Sequence, residues 1–140
     1  MNIRVRALAA LIASMAMPAN AASVEPPRET VVSSLKQPIP NIAGKNLVAS
    51  VIYYRPGAKS PPHTHPGADL IFAHVLAGEI RSQINDKPAK VYRAGDGWFE
   101  PHGSHHTVSE NASSSEAAQL LVVFVVDAEA RALIAPDSKP

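Results

Sequence analysis

The placement of histidine constrains this chain more than any other feature. Five of its six histidines fall in two short segments, GAKSPPHTHPGAD (residues 57–69) and GDGWFEPHGSHHTVSEN (residues 95–111). The first carries His63 and His65, the second His102, His105 and His106. Side chains of a β-strand alternate faces with period two, so His63 and His65 share a side wherever the chain is extended. A neutral imidazole is the commonest protein metal ligand, and the pair makes a two-point grip. A third histidine brought alongside from the second segment would complete a facial set, with positions left open for water or substrate. Cysteine is absent. That confines the ligands to His, Asp, Glu and water, and it removes both disulfides and Cys-type structural zinc sites.

The N-terminus reads as a leader. Arg4 and Arg6 form a basic start, ALAALIASMAM (residues 7–17) an apolar run, and Ala19-Asn20-Ala21 a small-x-small cleavage site. This is the pattern of a secretory signal peptide over residues 1–21, with cleavage after Ala21 and a periplasmic or secreted product. The apolar run is too short to span a bilayer comfortably. No second one follows, so no membrane partner is expected after cleavage. The chain has 13 basic and 12 acidic residues. Losing Arg4 and Arg6 leaves 11 against 12, a net charge of −1 with no basic field for nucleic acid.

The rest of the 140 residues allow one domain with a single core. A proline-bearing linker and a first short strand (residues 30–35) occupy residues 22–44. LVASVIYY (47–54) and DLIFAHVLA (69–77) are rich in β-branched and aromatic residues, the latter reading as a buried strand. EIRSQI (79–84) alternates, Asn85-Asp86 marks a hairpin, and residues 89–92 return. WFE (98–100) and residues 106–109 are short strands, while QLLVVFVV (119–126) reads as a strand covered on both faces. Only residues 127–134 have a helical look, within a tail over 128–140. Eight to ten short strands with closely spaced turns predict an all-β fold, a small antiparallel sandwich or barrel with a site at its mouth.

The two histidine segments also resemble the two motifs of the cupin superfamily. Gly57, His63, His65, Asp69 and Gly78 match the first motif, and VLAG (75–78) looks like that family's VLEG. Gly95, Pro101, Gly103, His106 and Asn111 match the second, with the asparagine one place late. The resemblance spans residues 45–127 and implies a double-stranded β-helix, the jelly-roll-like cupin barrel. It implies His63, His65, Asp69 and His106 as metal ligands. One departure stands out: counted back from Gly78, the family's glutamate position falls on Ile71. Asp69 matches when counted forward from His65, and Glu100, just before Pro101, competes with it for the fourth place.

His105, next to His106, would face the other way on a strand and lie beside the site or at the surface. His102 sits in the Pro-x-Gly turn and reads as exposed, and His74 as packed in the sheet. A facial histidine set suits one divalent ion, Fe, Mn, Ni or Zn. The resemblance implies either a dioxygenase-like enzyme or an isomerase-like one acting on a small molecule. Glu100, Asp69 and His105 are its candidate proton carriers. The alternative is a non-catalytic module that binds or senses a small molecule. Cupins commonly dimerise through added strands, which makes the strand near Val31 a candidate homodimer edge.

Overall fold

The computed structural model describes residues 28–137. The expected leader and cleavage site lie outside these residues. Eleven strands follow in order: β1 (Thr30–Pro38), β2 (Lys45–Tyr54), β3 (Lys59–Ser60), β4 (His63–Thr64), β5 (Ala68–Ala77) and β6 (Glu79–Ile84). Then come β7 (Lys90–Arg93), β8 (Gly97–Pro101), β9 (His105–Asn111), β10 (Ala118–Asp127) and β11 (Ala135–Pro136). Among the described residues there is no helix.

The strands form two antiparallel sheets. One runs β1-β2-β10-β5-β8; the other runs β11-β4-β9-β6-β7, with β3 added alongside β9. The core lies between them, built from Val48, Ile71, Val75, Leu120 and Phe124 of the first sheet with Ile80 of the second. β10 is the centre of the first sheet, and its burial alternates strictly: Ala118, Leu120, Val122, Phe124 and Val126 face inward. Its nearly unbroken apolar run suggested two covered faces. The structure gives one buried face and one half-buried face, because only one side of this sheet has a partner sheet.

Two elements are longer or more ordered than expected. β1 extends to Pro38 and pairs along nearly all of β2, leaving Val31, Val32 and Leu35 exposed at the sheet edge. The stretch beyond Asp127, expected as a tail with some helical character, instead turns back and pairs through β11 with β4. The Asp137 amide donates to the Pro62 carbonyl at 3.0 Å, which ties this end to the first histidine segment.

The motif asparagine has a structural task. Asn111 is buried, and its Nδ2 donates to the carbonyls of Arg55 (3.1 Å) and Glu116 (2.7 Å). Its Oδ1 accepts from the Ser113 amide at 2.9 Å. One side chain thus pins the loop leading to the histidines against the loop that enters β10. Gly78 is equally specific, with φ of +69° and a backbone packed so closely that an added Cβ would lie 2.5 Å from the Ala117 carbonyl oxygen. Gly44 shares the left-handed conformation, with φ of +74°, but has nothing within 4 Å. Gly78→Ala should therefore cost about 3 kcal/mol or more in urea unfolding, combining backbone strain with overpacking. Gly44→Ala should cost only the strain, about 1 kcal/mol. Equal losses in the two variants would show that the close approach at Gly78 carries no energy.

Candidate metal centre

The site is built by register. In the β4–β9 pair His63 lies directly opposite His106, and Thr64 opposite His105. Residues directly opposite across an antiparallel pair hold their Cβ atoms about 5 Å apart on the same face. Alternation then returns His65 to the side of His63. The ring centroids are 4.7 Å apart for His63–His65, 5.1 Å for His63–His106 and 6.4 Å for His65–His106. All three residues are at most 9% exposed. Each offers one ring nitrogen, and the three lie within 4.8 Å of one another, so the cluster can hold one metal ion.

Backbone carbonyls set two of the tautomers. His63 Nδ1 lies 2.7 Å from the Pro61 carbonyl, and His65 Nδ1 lies 2.7 Å from the Leu133 carbonyl. A carbonyl only accepts, so each Nδ1 carries a proton, and in the neutral ring Nε2 is then the bare lone pair. That is the state a metal requires, and an outer hydrogen bond of this kind fixes ring orientation. His106 Nε2 meets the Ser82 hydroxyl at 2.9 Å, while its Nδ1 faces Glu100 Oε1 at 3.4 Å.

The carboxylate beside the histidines is Glu100, and Asp69 is elsewhere. Asp69 is exposed and paired with Lys45 at 2.6 Å; Lys45 also holds Asp127 at 2.6 Å. The reason is a bulge. β5 pairs Leu70 with Val125 but Ala68 with Val126, so Asp69 is the extra residue. Ala68 and Ile71 both point inward, with Asp69 and Leu70 both outward between them. The parity that links Asp69 to Ile71 is broken by that one residue. Glu100, by contrast, is 2% exposed on β8, where Trp98 and Glu100 face inward in alternation. Trp98 Nε1 donates to Glu100 Oε1 at 3.0 Å, and Oε2 lies 3.6 Å from His65 Nε2.

The other histidines stand apart. His105 is half-exposed and pairs with Asp137 at 2.9 Å. His102 lies on the surface, where its Nδ1 donates to the Ala68 carbonyl at 2.8 Å. His74 stacks on Phe72, with centroids 6.0 Å apart, away from the cluster. Phe99, whose ring lies 4.9 Å from that of Phe72, is 63% exposed, and Phe72 is half-buried. Two contributors were not singled out from the sequence. Ser82 could have been found, as a polar residue at an inward position of the alternating EIRSQI. Leu133 acts through its backbone carbonyl and leaves no side-chain signal.

The three histidines and Glu100 line a cavity of about 70 Å³. Ile52, Leu120, Val122 and Phe124 give it apolar walls, and Ile134 of the C-terminal stretch borders it. Apart from the histidines and Glu100, the lining includes the Tyr54 hydroxyl, held by Ser60 and Ser109 at 3.0 Å each. Burial raises the Tyr54 pKa, so this hydroxyl keeps its proton.

A cupin domain model matches residues 50–124. The chain belongs to the cupin family. Its two sheets form the cupin double-stranded β-helix. Among solved structures, a double-stranded β-helix protein from Klebsiella pneumoniae is 24% identical with a TM-score of 0.57, covering 88% of this chain and 90% of that one. The cupin domain of Schizosaccharomyces pombe Cnp3 is 20% identical with a TM-score of 0.57, over 75% of this chain and 66% of that one. The DMSP lyase DddQ from Ruegeria pomeroyi is 26% identical with a TM-score of 0.54, over 64% of this chain and 42% of that one. The cupin thus spans about two thirds of the yeast domain and under half of the lyase. A comparison with curated proteins finds no match.

Burial governs the protonation of the site. It lowers the His65 pKa to about 4, against the Leu133 hydrogen bond, and that of His106 to about 3, with neighbouring imidazoles adding to both. It pushes Glu100 up to about 7, against the opposing hydrogen bond from Trp98. Between pH 4.5 and 6.5 the unfolded metal-free chain protonates both imidazoles and ionises Glu100, while the fold does the reverse. From these groups the unfolded state binds one proton more, two at the imidazoles against one at Glu100. Stability should therefore rise with pH across this window, by about 1.4 kcal/mol per pH unit. Urea unfolding of metal-free protein measures that slope, and His106→Asn should bring it close to zero. An unchanged slope in the variant would mean that His106 titrates as it does in free solution.

Proposed function

We propose that this cupin is an exported, metal-dependent enzyme acting on a small organic molecule, with His63, His65 and His106 as the protein's hold on one divalent ion. The observation that carries the reading is the convergence of three buried imidazoles on a small, mostly apolar cavity. The donor set fits iron, manganese, nickel or zinc. A bound ion of this kind supplies Lewis-acid polarisation of a ligand oxygen or, when redox-active, one-electron chemistry of the dioxygenase type. The protein's own groups do the rest. The Pro61 and Leu133 carbonyls keep His63 and His65 oriented with their Nε2 atoms free. The apolar walls exclude water and select a ligand with a small apolar body. The protonated Tyr54 hydroxyl offers that ligand a hydrogen bond across the cavity. The likeness to DddQ, which is a lyase, supports an enzymatic reading.

Export rests on the leader pattern of residues 1–21. The partner beyond the small molecule is a second copy of the chain, because the edge strand β1 exposes Val31, Val32 and Leu35. Light scattering after size exclusion should give a dimer mass; a monomer would remove that part of the reading.

Ile71 in place of the motif acid favours a second reading, a non-catalytic module that binds a small molecule. Elemental mass spectrometry and turnover separate the two. The mature, untagged protein should carry close to one ion per chain, and His63→Ala and His106→Ala should each lose it. Oxygen uptake with Fe(II), Mn(II) or Ni(II) should then appear for at least one of a set of catechols, flavonols and diketones. Stoichiometric metal with no turnover and tight ligand binding would favour the module. No metal even after reconstitution would overturn the enzyme reading.

A further inference from the structure

Ile71 stands where the first cupin motif carries its acid, and it is 2% exposed, facing the cavity side of β5. In the β5–β8 pairing its partner directly across is Glu100. Both side chains point inward, and opposite positions of an antiparallel pair bring their Cβ atoms within about 5 Å. The carboxylate absent from one strand is therefore present on the adjacent strand at the same level. We propose that Glu100 is the fourth metal-binding group of this cupin, the motif acid having been replaced across one strand pair, from β5 to β8.

The surroundings of Glu100 support this beyond its position. Its Oε2 is buried with no hydrogen-bond partner. Facing that oxygen at 3.6 Å is His65 Nε2, which is a lone pair because the ring's only proton is given to Leu133. Whenever Glu100 is ionised, two acceptors confront each other in a dry site with no donor between them. Such an arrangement is costly unless a cation lies between them. The other oxygen, Oε1, is fixed by Trp98 and lies 3.4 Å from His106 Nδ1. In a four-coordinate site with bonds of about 2.1 Å, neighbouring ligand atoms are about 3.4 Å apart. Both Glu100 oxygens are at about that distance from the histidine nitrogens. Asp69, bulged outward and paired with Lys45, has no such access.

This inference rests on the metal-binding reading above, and the test distinguishes the two. Metal-free protein is titrated with Co(II), with affinity read by chelator competition and ligand geometry by the visible d–d absorption. Four chains are compared: wild type, Glu100→Gln, Asp69→Asn, and the double variant Ile71→Glu/Glu100→Ile. Circular dichroism confirms folding; the Gln variant is isosteric and removes the ionisable carboxyl. Glu100→Gln should weaken Co(II) binding by at least about 10-fold, the scale at which even outer partners of a metal ligand act, and should change the absorption band. Asp69→Asn should match wild type. The exchanged pair should recover most of the affinity lost in Glu100→Gln, because the carboxylate returns on the neighbouring strand. Wild-type affinity and spectrum in Glu100→Gln would overturn this inference and leave the three-histidine site standing. No Co(II) binding by wild type would overturn both.

Discussion

The register of β4 against β9, which sets His63 opposite His106, is the constraint on which the site depends. β4 is two residues long, too short to hold a register by its own hydrogen bonds. It is held because β9 lies on one side and β11 on the other. A slip of one residue would turn His63 outward and present Thr64 to the cavity, since side chains alternate faces. The C-terminal stretch is thus part of the site's foundation. Its pairing fixes the strand, and its Leu133 carbonyl fixes the tautomer of His65.

The features legible in the sequence were those with period or residue type behind them. His63 and His65 share a face because of strand alternation, and His106 joins them by its place in a motif. Gly78 has no room for a side chain, and Asn111 satisfies three backbone groups at once, so both positions admit few residue types. Asp69 lies away from the histidines for an equally physical reason. A counting argument assumes unbroken parity, and the bulge at residues 69–70 breaks it. The strand absorbs the extra residue by turning Asp69 and Leu70 outward together. The helical look of residues 127–134 was likewise a local preference, overridden by pairing of the chain's end with β4.

The electrostatics of the pocket follow from its dryness. Apolar walls disfavour the charged forms, which keeps His65 and His106 neutral and opposes ionisation of Glu100. In the metal-free state this leaves a surplus of acceptors, with neutral nitrogens facing carboxyl oxygens. One proton on Glu100 relieves a single contact, whereas a divalent cation would satisfy several at once. A pocket that is poor for protons can therefore be good for a metal. The same burial that lowers these imidazole pKa values then favours metal affinity, because a neutral imidazole loses no proton on binding an ion.

The residues that orient the site differ in how they can vary. His63 and His65 are aligned by backbone carbonyls, at Pro61 and Leu133, and a change of side chain at either position leaves the carbonyl in place. The histidine geometry is thereby insulated from much sequence change. The carboxylate has no such anchor in the backbone. It needs only an inward position on β5 or β8 at the right level, and the pairing of Ile71 with Glu100 provides two equivalent ones. A fold of this kind can relocate its acid across a strand pair while keeping its histidines, provided Trp98 or a similar donor holds the new carboxylate in place. The arrangement of β5 and β8, more than any single motif letter, then decides where a cupin of this type carries its negative charge.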